Sequence, residues 1–279
     1  MKKEITGVLL VVVFVLASVL AAGCGEGKTG PEAGIGKELT GSITVAGSTS
    51  VQPFTEVLAE EFMAQNPGSK INVQGGGSSQ GIEAARSGAA DLGVSSRELK
   101  PEEKELQEFK IARDAIAVVV HPSNRVDNLT LVQVRDIFLG QITNWKQVGG
   151  QETEITLMSR EAGSGTRDGF ETLVLNQQPL SDRALIANST GTVKTMVAGD
   201  KNAIGYISMA SLDDTVKVLA VDGVRPTVET VKADQYKISR PFLYVSTDEP
   251  VGLTRAFIDF VLSDAGQRIL EDEGAVGVK

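Results

Sequence analysis

Three short loops rich in Gly, Ser and Thr carry the strongest chemical signal in this chain of 279 residues. They lie at residues 47–50, 75–79 and 163–166, each between an apolar β-rich run and a segment with helical periodicity. Each is therefore predicted to lead from a strand into a helix N-terminus, where unpartnered backbone N–H groups attract anions and hydroxyls add neutral donors. Helix capping alone could explain one such loop. Three in one chain favour an anion-binding site.

Other kinds of chemistry have little support in the residue types. The chain has one His and one Cys, which excludes a Cys/His zinc site, a disulfide framework and most His-based catalysis. Ala162 stands where a G-x-S-x-G nucleophile elbow needs Gly, so Ser164 is a poor nucleophile candidate. His121 is interpreted as a structural or surface-lying residue, and Trp145 as a packing residue. No catalytic residue and no metal ligand is predicted.

Strands and helices alternate along the chain from Ser42 onward. Apolar runs at 43–46, 70–74, 92–94 and 154–158 are separated by helical patterns, which predicts an α/β protein with parallel sheets flanked by helices. Ligands of such proteins gather at the carboxyl ends of strands. The segment Ser95-Ser96-Arg97 adds a fourth polar loop after a strand.

Later elements follow from similar patterns. Pro101 is predicted to open a helix, Thr130 and Gln133 to form a capping box, and the apolar runs from Ala115 and at 216–221 to be strands.

The charge balance is acidic. Lys and Arg number 27 against 36 Asp and Glu, a formal net charge of −9. A nucleic-acid binder needs a basic surface, so no nucleic-acid partner is predicted.

The N-terminus has the pattern of an export signal. Lys2 and Lys3 precede an apolar run at 8–22 and then Gly23-Cys24. A single uncleaved membrane-spanning helix over 5–23 is the alternative. The sequence Leu20-Ala21-Ala22-Gly23-Cys24 resembles a bacterial lipobox, which implies a signal peptide at 1–23 and lipidation of Cys24. Residues 24–40 are Gly-rich and aperiodic, which predicts a flexible tether.

Nearly the whole chain beyond the tether resembles the PstS type of solute-binding protein, the phosphate-binding component of bacterial ABC transporters. The resemblance rests mainly on residues 46–53 (AGSTSVQP), 77–81 (GSSQG), 95–99 (SSREL) and 159–167 (SREAGSGTR). It implies an α/β, two-lobed periplasmic-binding-protein fold of type II with the ligand in a cleft. One lobe would hold 41–117 and 244–279 and the other 118–243, joined by crossover strands at Ala115–His121 and Pro241–Val245.

The same resemblance implies the site residues. Carried over by position, the phosphate-binding residues are Thr49, Ser50, Ser78, Ser96, Arg160, Ser164, Gly165 and Thr166. Some members of the family have an Asp at the position of Ser96, where it accepts the proton of hydrogen phosphate, and another at the position of Ala162. The acceptor here is left open: a backbone carbonyl, or a carboxylate such as Asp91 or Glu161.

The implied function is a high-affinity receptor for inorganic phosphate, without a cofactor and without enzyme activity. It would be a monomer, lipid-anchored on the extracytoplasmic face of the cell membrane, that delivers phosphate to the permease and ATPase subunits of an ABC importer. Two alternatives remain: a receptor for another tetrahedral oxyanion (sulfate, molybdate or tungstate) and a secreted phosphatase, which would need a metal cluster or a placed nucleophile.

Overall fold

The computed structural model describes residues 39–279. The predicted signal peptide at 1–23, Cys24 and the tether up to residue 38 lie outside these residues. No helix in the described part of the chain is long and apolar enough to cross a membrane.

Strands and helices alternate through most of the described chain, as predicted. The strands are β1 Gly41–Ser48, β2 Ser69–Gly76, β3 Leu92–Ser95, β4 Gln107–Val120, β5 Asn128–Leu129, β6 Thr156–Arg160, β7 Leu185–Ala187, β8 Ala203–Ser208, β9 Lys217–Val218, β10 Ala220–Val221 and β11 Ser239–Ser246. The helices are α1 Gln52–Gln65, α2 Ser78–Arg86, α3 Leu131–Phe138, α4 Gly165–Leu173, α5 Thr190–Gly199, α6 Val228–Lys232, α7 Gly252–Val261 and α8 Asp264–Asp272.

The main sheet consists of two parallel groups joined by antiparallel strands. Its strand order over residues 39–279 is β2-β1-β3-β11-β4-β8-β6-β7, with β9 beside β4. The strand β1 runs parallel to β2 and β3, and β6 runs parallel to β7 and β8. Between these groups, β11 and β4 pair antiparallel with each other and with their outer neighbours β3 and β8.

The strand β4 is longer than predicted. The prediction started it at Ala115, whereas the structure starts it at Gln107. Residues 107–114 mix charged and apolar side chains and do not form an apolar run, but they pair with β11 over their whole length. The strand therefore spans both parallel groups, because residues 116–120 pair with β8.

Two other predictions were wrong in detail. Pro101 opens only a single 3₁₀ turn, Pro101–Glu103. The turn ends there because the Glu103 carboxylate accepts the Lys100 N–H and two bonds from the Arg97 guanidinium. The strand β4 begins four residues later. The strand predicted at 216–221 is two strands, since β9 pairs with β4 and β10 with β5. The capping box of Thr130 and Gln133 is confirmed.

Two large apolar cores support the sheet. In one, the rings of Phe62 and Phe257 meet edge to face with centroids 5.5 Å apart. In the other, Phe170 stacks on Tyr206 at 4.0 Å. Trp145 belongs to the second core and donates its indole N–H to the Asn202 carbonyl, which confirms its structural interpretation.

Helix α2 approaches the sheet closely through a glycine. A Cβ at Gly81 would lie 2.5 Å from the Ala46 carbonyl oxygen, 2.7 Å from Gly47 Cα and 2.9 Å from the Val94 carbonyl oxygen. All three neighbours are backbone atoms of strands, which cannot move aside without distorting the sheet. This contact fixes the height of α2 above β1 and β3.

We predict that Gly81→Ala destabilises the fold although Ala is the better helix former. Overpacking against fixed backbone typically costs about 1–3 kcal/mol, which outweighs the helix-propensity gain of about 1 kcal/mol. Urea denaturation of ligand-free protein should therefore show a lower midpoint. Gly199→Ala is the matched control, because a Cβ there meets nothing within 4 Å, and its midpoint should stay or rise. A stabilised Gly81→Ala would contradict this account.

Candidate oxyanion-binding site

Polar residues at the carboxyl ends of strands from both parallel groups meet in one place. The three predicted strand–loop–helix junctions are all present: β1 leads into α1, β2 into α2 and β6 into α4. The structure brings residues from these loops, and from the segment after β3, into direct contact. They are almost entirely buried: Ser50, Ser78, Ser96, Arg160, Ser164 and Thr166 are each at most 1% exposed.

The first loop touches the last. The Ser50 hydroxyl lies 2.8 Å from the Thr166 hydroxyl and 2.9 Å from that of Thr190. Thr49 accepts a bond from Arg160 at 3.2 Å and one from the Thr190 N–H at 3.3 Å. These contacts join residues more than 100 positions apart in the chain, so the cluster depends on the tertiary fold.

The second loop meets the segment after β3. The Ser78 hydroxyl accepts the Ser96 N–H at 3.0 Å, and the Ser48 hydroxyl donates to the Ser96 hydroxyl at 2.8 Å. Gly165 packs directly against this pair, because a Cβ there would lie 2.7 Å from Ser96 Oγ and closer still to Ser78 Oγ. Any larger residue at position 165 would push the serines apart.

Two helix N-termini open onto the cluster. Ser164 is the N-cap of α4 and accepts the Arg167 N–H at 3.3 Å, so its hydroxyl also serves the helix. Gly165 and Thr166 are the first residues of α4, and Ser78 is the first of α2. Helix N-termini present backbone N–H groups and partial positive charge, which favours an anion at this position.

Arg160 brings a guanidinium to the cluster. It donates to Thr49 and to Thr190, the latter at 3.1 Å, and its other side forms two bonds of 2.8 and 2.7 Å with Glu161. Glu161, one of the two candidate carboxylate acceptors, is thus paired with Arg160. Asp91, the other, accepts the N–H of Thr44 in the middle of β1.

A buried ion pair between β4 and β11 was not predicted from the sequence. Arg240 donates to one Asp114 oxygen at 3.1 and 2.9 Å, and both side chains are at most 2% exposed. The Nη1 of Arg240 also reaches the hydroxyls of Ser96 at 3.1 Å and Thr166 at 2.8 Å. Burial raises the pKa of the Asp114 carboxyl, and the guanidinium of Arg240 opposes that rise. Arg240 is therefore a second cation in contact with predicted site residues.

Four residues of the cluster were not among the predicted site residues: Asp114, Thr190, Arg240 and Ser48, the last of which lies in the predicted loop 47–50. Thr190 had a usable signal, since Asn188-Ser189-Thr190-Gly191-Thr192 repeats the polar loop-to-helix pattern, here between β7 and α5. Asp114 and Arg240 had none. Each stands directly before the apolar run that was taken as a crossover strand.

Further contacts tie the two parallel groups together beside the cluster. Arg97, paired with Glu103, also lies 2.9 Å from Asp168 on α4, and the Ser79 N–H donates to the Gly163 carbonyl at 3.1 Å. Within residues 39–279, no three His, Cys, Asp or Glu side chains are grouped so that they could hold a metal ion.

A two-part α/β sheet with polar loops at its strand ends is the architecture of solute-binding proteins. Residues 32–265 match the family model described as the PBP superfamily domain, so the chain belongs to that superfamily. The sequence is 33% identical to the phosphate-binding protein PstS of Bacillus subtilis over 99% of this chain and 95% of the relative. It is 30% identical to that of Borreliella burgdorferi over 85% and 90%. The chain is thus a member of the PstS family.

Similar solved structures support membership of the same family. A phosphate ABC transporter substrate-binding protein of Clostridium perfringens, with bound phosphate, aligns with a TM-score of 0.83 and 44% identity over 86% of this chain and 100% of that one. An ABC-type phosphate transport receptor of Vibrio cholerae aligns with a TM-score of 0.72 and 38% identity over 84% and 99%. The resemblance and the fold class predicted from the sequence are confirmed.

We predict that Asp114→Ala strongly destabilises the protein, because it leaves Arg240 buried without its partner. Breaking a buried ion pair from one side typically costs about 3–5 kcal/mol. The double variant Asp114→Asn with Arg240→Met removes both charges and should lose no more than about half as much. Urea denaturation of ligand-free protein measures both. Equal losses in the two variants would show that the unpaired charge of Arg240 is not the cause of the destabilisation.

Proposed function

We propose that this chain is an extracytoplasmic receptor that binds inorganic phosphate with high affinity and delivers it to an ABC importer. One observation carries the proposal: hydroxyls, helix N-termini and two guanidiniums converge on one buried cluster. The 44% identity to a phosphate-bound transporter component supports phosphate as the ligand.

The proposed phosphate contacts follow from this cluster. They are Thr49, Ser50, Ser78, Ser96, Arg160, Ser164, Gly165 and Thr166. An anion taken out of water is costly unless its oxygens are hydrogen-bonded, and these residues supply hydroxyl, backbone and guanidinium donors. The net charge of −9 does not oppose binding, because surface charges are screened over about 8 Å at physiological salt.

The transport role needs a change of shape on binding. We propose two lobes, 41–117 with 244–279 and 118–243, that close on the anion about the crossover strands. Closure would bury the ligand and form the surface that a permease and its ATPase subunits recognise. The receptor acts as a monomer, without enzyme activity, and is held on the outer face of the cell membrane by a lipid on Cys24.

An anion panel tests the ligand. Protein refolded from urea to remove bound anions should be stabilised by phosphate more than by sulfate, molybdate or tungstate. Phosphate at 100 times its Kd adds about 2.7 kcal/mol, a Tm rise of roughly 5–10 °C. Arg160→Ala should abolish most of this rise at the same phosphate concentration, because losing a charged partner of a buried anion costs about 2–5 kcal/mol.

Arg183→Ala is the control, since Arg183 is half exposed and pairs with Glu154. It should keep the wild-type response. A larger rise with another oxyanion would make the chain a receptor for that oxyanion, and turnover of a chromogenic phosphate ester would make it a phosphatase. An unchanged response in Arg160→Ala would place the anion elsewhere.

We predict that Cys24→Ser prevents lipid anchoring without disturbing the folded part. Cys24 is the only cysteine in the sequence, so no other thiol can take the lipid. Cell fractionation and metabolic labelling with a radioactive fatty acid should show the variant unlabelled and released from the membrane, with wild-type phosphate affinity. A labelled variant in the membrane fraction would refute the lipobox interpretation.

A further inference from the structure

The hydrogen bonds around Ser96 have a fixed direction. A guanidinium has only donors, so the Ser96 hydroxyl oxygen must accept the bond from Arg240 Nη1. The same oxygen accepts a bond from the Ser48 hydroxyl. A serine oxygen has two lone pairs. Both are used, so Ser96 can act only as a donor through its O–H, which lies 3.4 Å from the Ser78 hydroxyl oxygen in this structure.

Thr166 is constrained in the same way. Its hydroxyl accepts from Arg240 Nη1 at 2.8 Å and lies against Ser50. On the far side of Ser50, the Thr190 hydroxyl accepts from Arg160. A hydroxyl that accepts from a cation becomes a better donor. Both threonines therefore favour donation toward Ser50, whose own proton is left for another partner.

Asp114 holds Arg240 in the orientation that this requires. One Asp114 oxygen accepts hydrogen bonds from Nε and Nη2 of the guanidinium, so Nη1 is the nitrogen that faces the hydroxyls. The pair is formed by residues directly opposite each other on β4 and β11. The orientation of Nη1 is thus set by the sheet register.

We propose that Arg240, oriented by Asp114, is a positioning residue that makes Ser96, and through Thr166 also Ser50, hydrogen-bond donors toward the bound oxyanion. The inference rests on the proposed function and deepens it, since it concerns specificity. A lining of donors suits every oxygen of sulfate and all but the protonated oxygen of hydrogen phosphate. Where some relatives have a carboxylate acceptor, this site has a serine with its acceptor positions filled. It should therefore prefer phosphate only moderately over sulfate.

The test compares inorganic phosphate and sulfate at pH 8 by calorimetry on protein stripped of anions. Asp114→Asn with Arg240→Met frees Ser96 to rotate and accept the phosphate proton, and frees Thr166 to reverse its bond with Ser50. Both anions should bind more weakly, sulfate more so, and the phosphate-to-sulfate affinity ratio should rise about tenfold, the worth of one hydrogen bond. Asp114→Asn with Arg240→Gln carries the same expectation if the first variant does not fold by circular dichroism.

Arg113→Met with Asp234→Asn is the matched control. It removes another Arg–Asp pair, whose arginine is also on β4 but away from the cluster, and should leave the ratio at its wild-type value. Adding Ser96→Ala should lower both affinities equally in the wild type. In the Asp114→Asn, Arg240→Met background it should lower phosphate affinity more, because the freed hydroxyl accepts there.

Three results would overturn the inference. An unchanged ratio in the Arg240 variants would reduce Arg240 to a structural role. Wild-type rejection of sulfate by more than about 10⁴-fold would reveal a fixed acceptor in the site. In both cases phosphate binding and the proposed function would stand. Failure of the wild type to bind phosphate at all would refute the proposed function and this inference together.

Discussion

Polar groups removed from water must be paired, and the described structure is arranged around one cluster where that requirement is most demanding. Six hydroxyl or guanidinium side chains from separate loops are nearly fully buried there. One of them is the cation Arg160, and Arg240 is a second buried cation beside them; each is held by a neighbouring carboxylate, Arg160 by Glu161 and Arg240 by Asp114. The carboxylates lower the cost of burying the guanidiniums and leave some N–H groups on each for the hydroxyls. Without that pairing, the cluster would be too costly to bury.

Local sequence patterns were enough to predict the parts of the site that local chemistry builds. A strand, a small polar loop and a helix follow one another in sequence, so the loops of Ser50, Ser78 and Thr166 could be located and their helix N-termini anticipated. The resemblance to the PstS family was then the basis for predicting which residues of those loops contact the ligand. The structure brings these residues into contact across more than 100 positions of sequence.

Apart from Thr190, the parts that were missed depend on strand register, which no local pattern reveals. Asp114 and Arg240 lie opposite each other because β4 and β11 pair antiparallel, and that register follows from the whole sheet. In the sequence, each is a charged residue at the edge of an apolar run and suggests a strand end at the surface. Residues 107–114 were missed for the same reason, since their backbone pairing with β11, and not apolar side chains, makes them a strand.

The two arginines also differ in what they can contribute. Arg160 ends β6 beside a loop, where a small rearrangement could redirect its guanidinium from Glu161 to a ligand. Arg240 lies within the pairing of the two central strands and also donates to the Ser96 carbonyl at 3.2 Å, so it has no comparable freedom. A fixed cation beneath hydroxyls acts through their orientation, whereas a cation at a loop can act by direct contact. On the proposed function, affinity would therefore depend mainly on Arg160 and selectivity on Arg240, and Ser96, which contacts Arg240 and is itself a proposed ligand contact, would affect both.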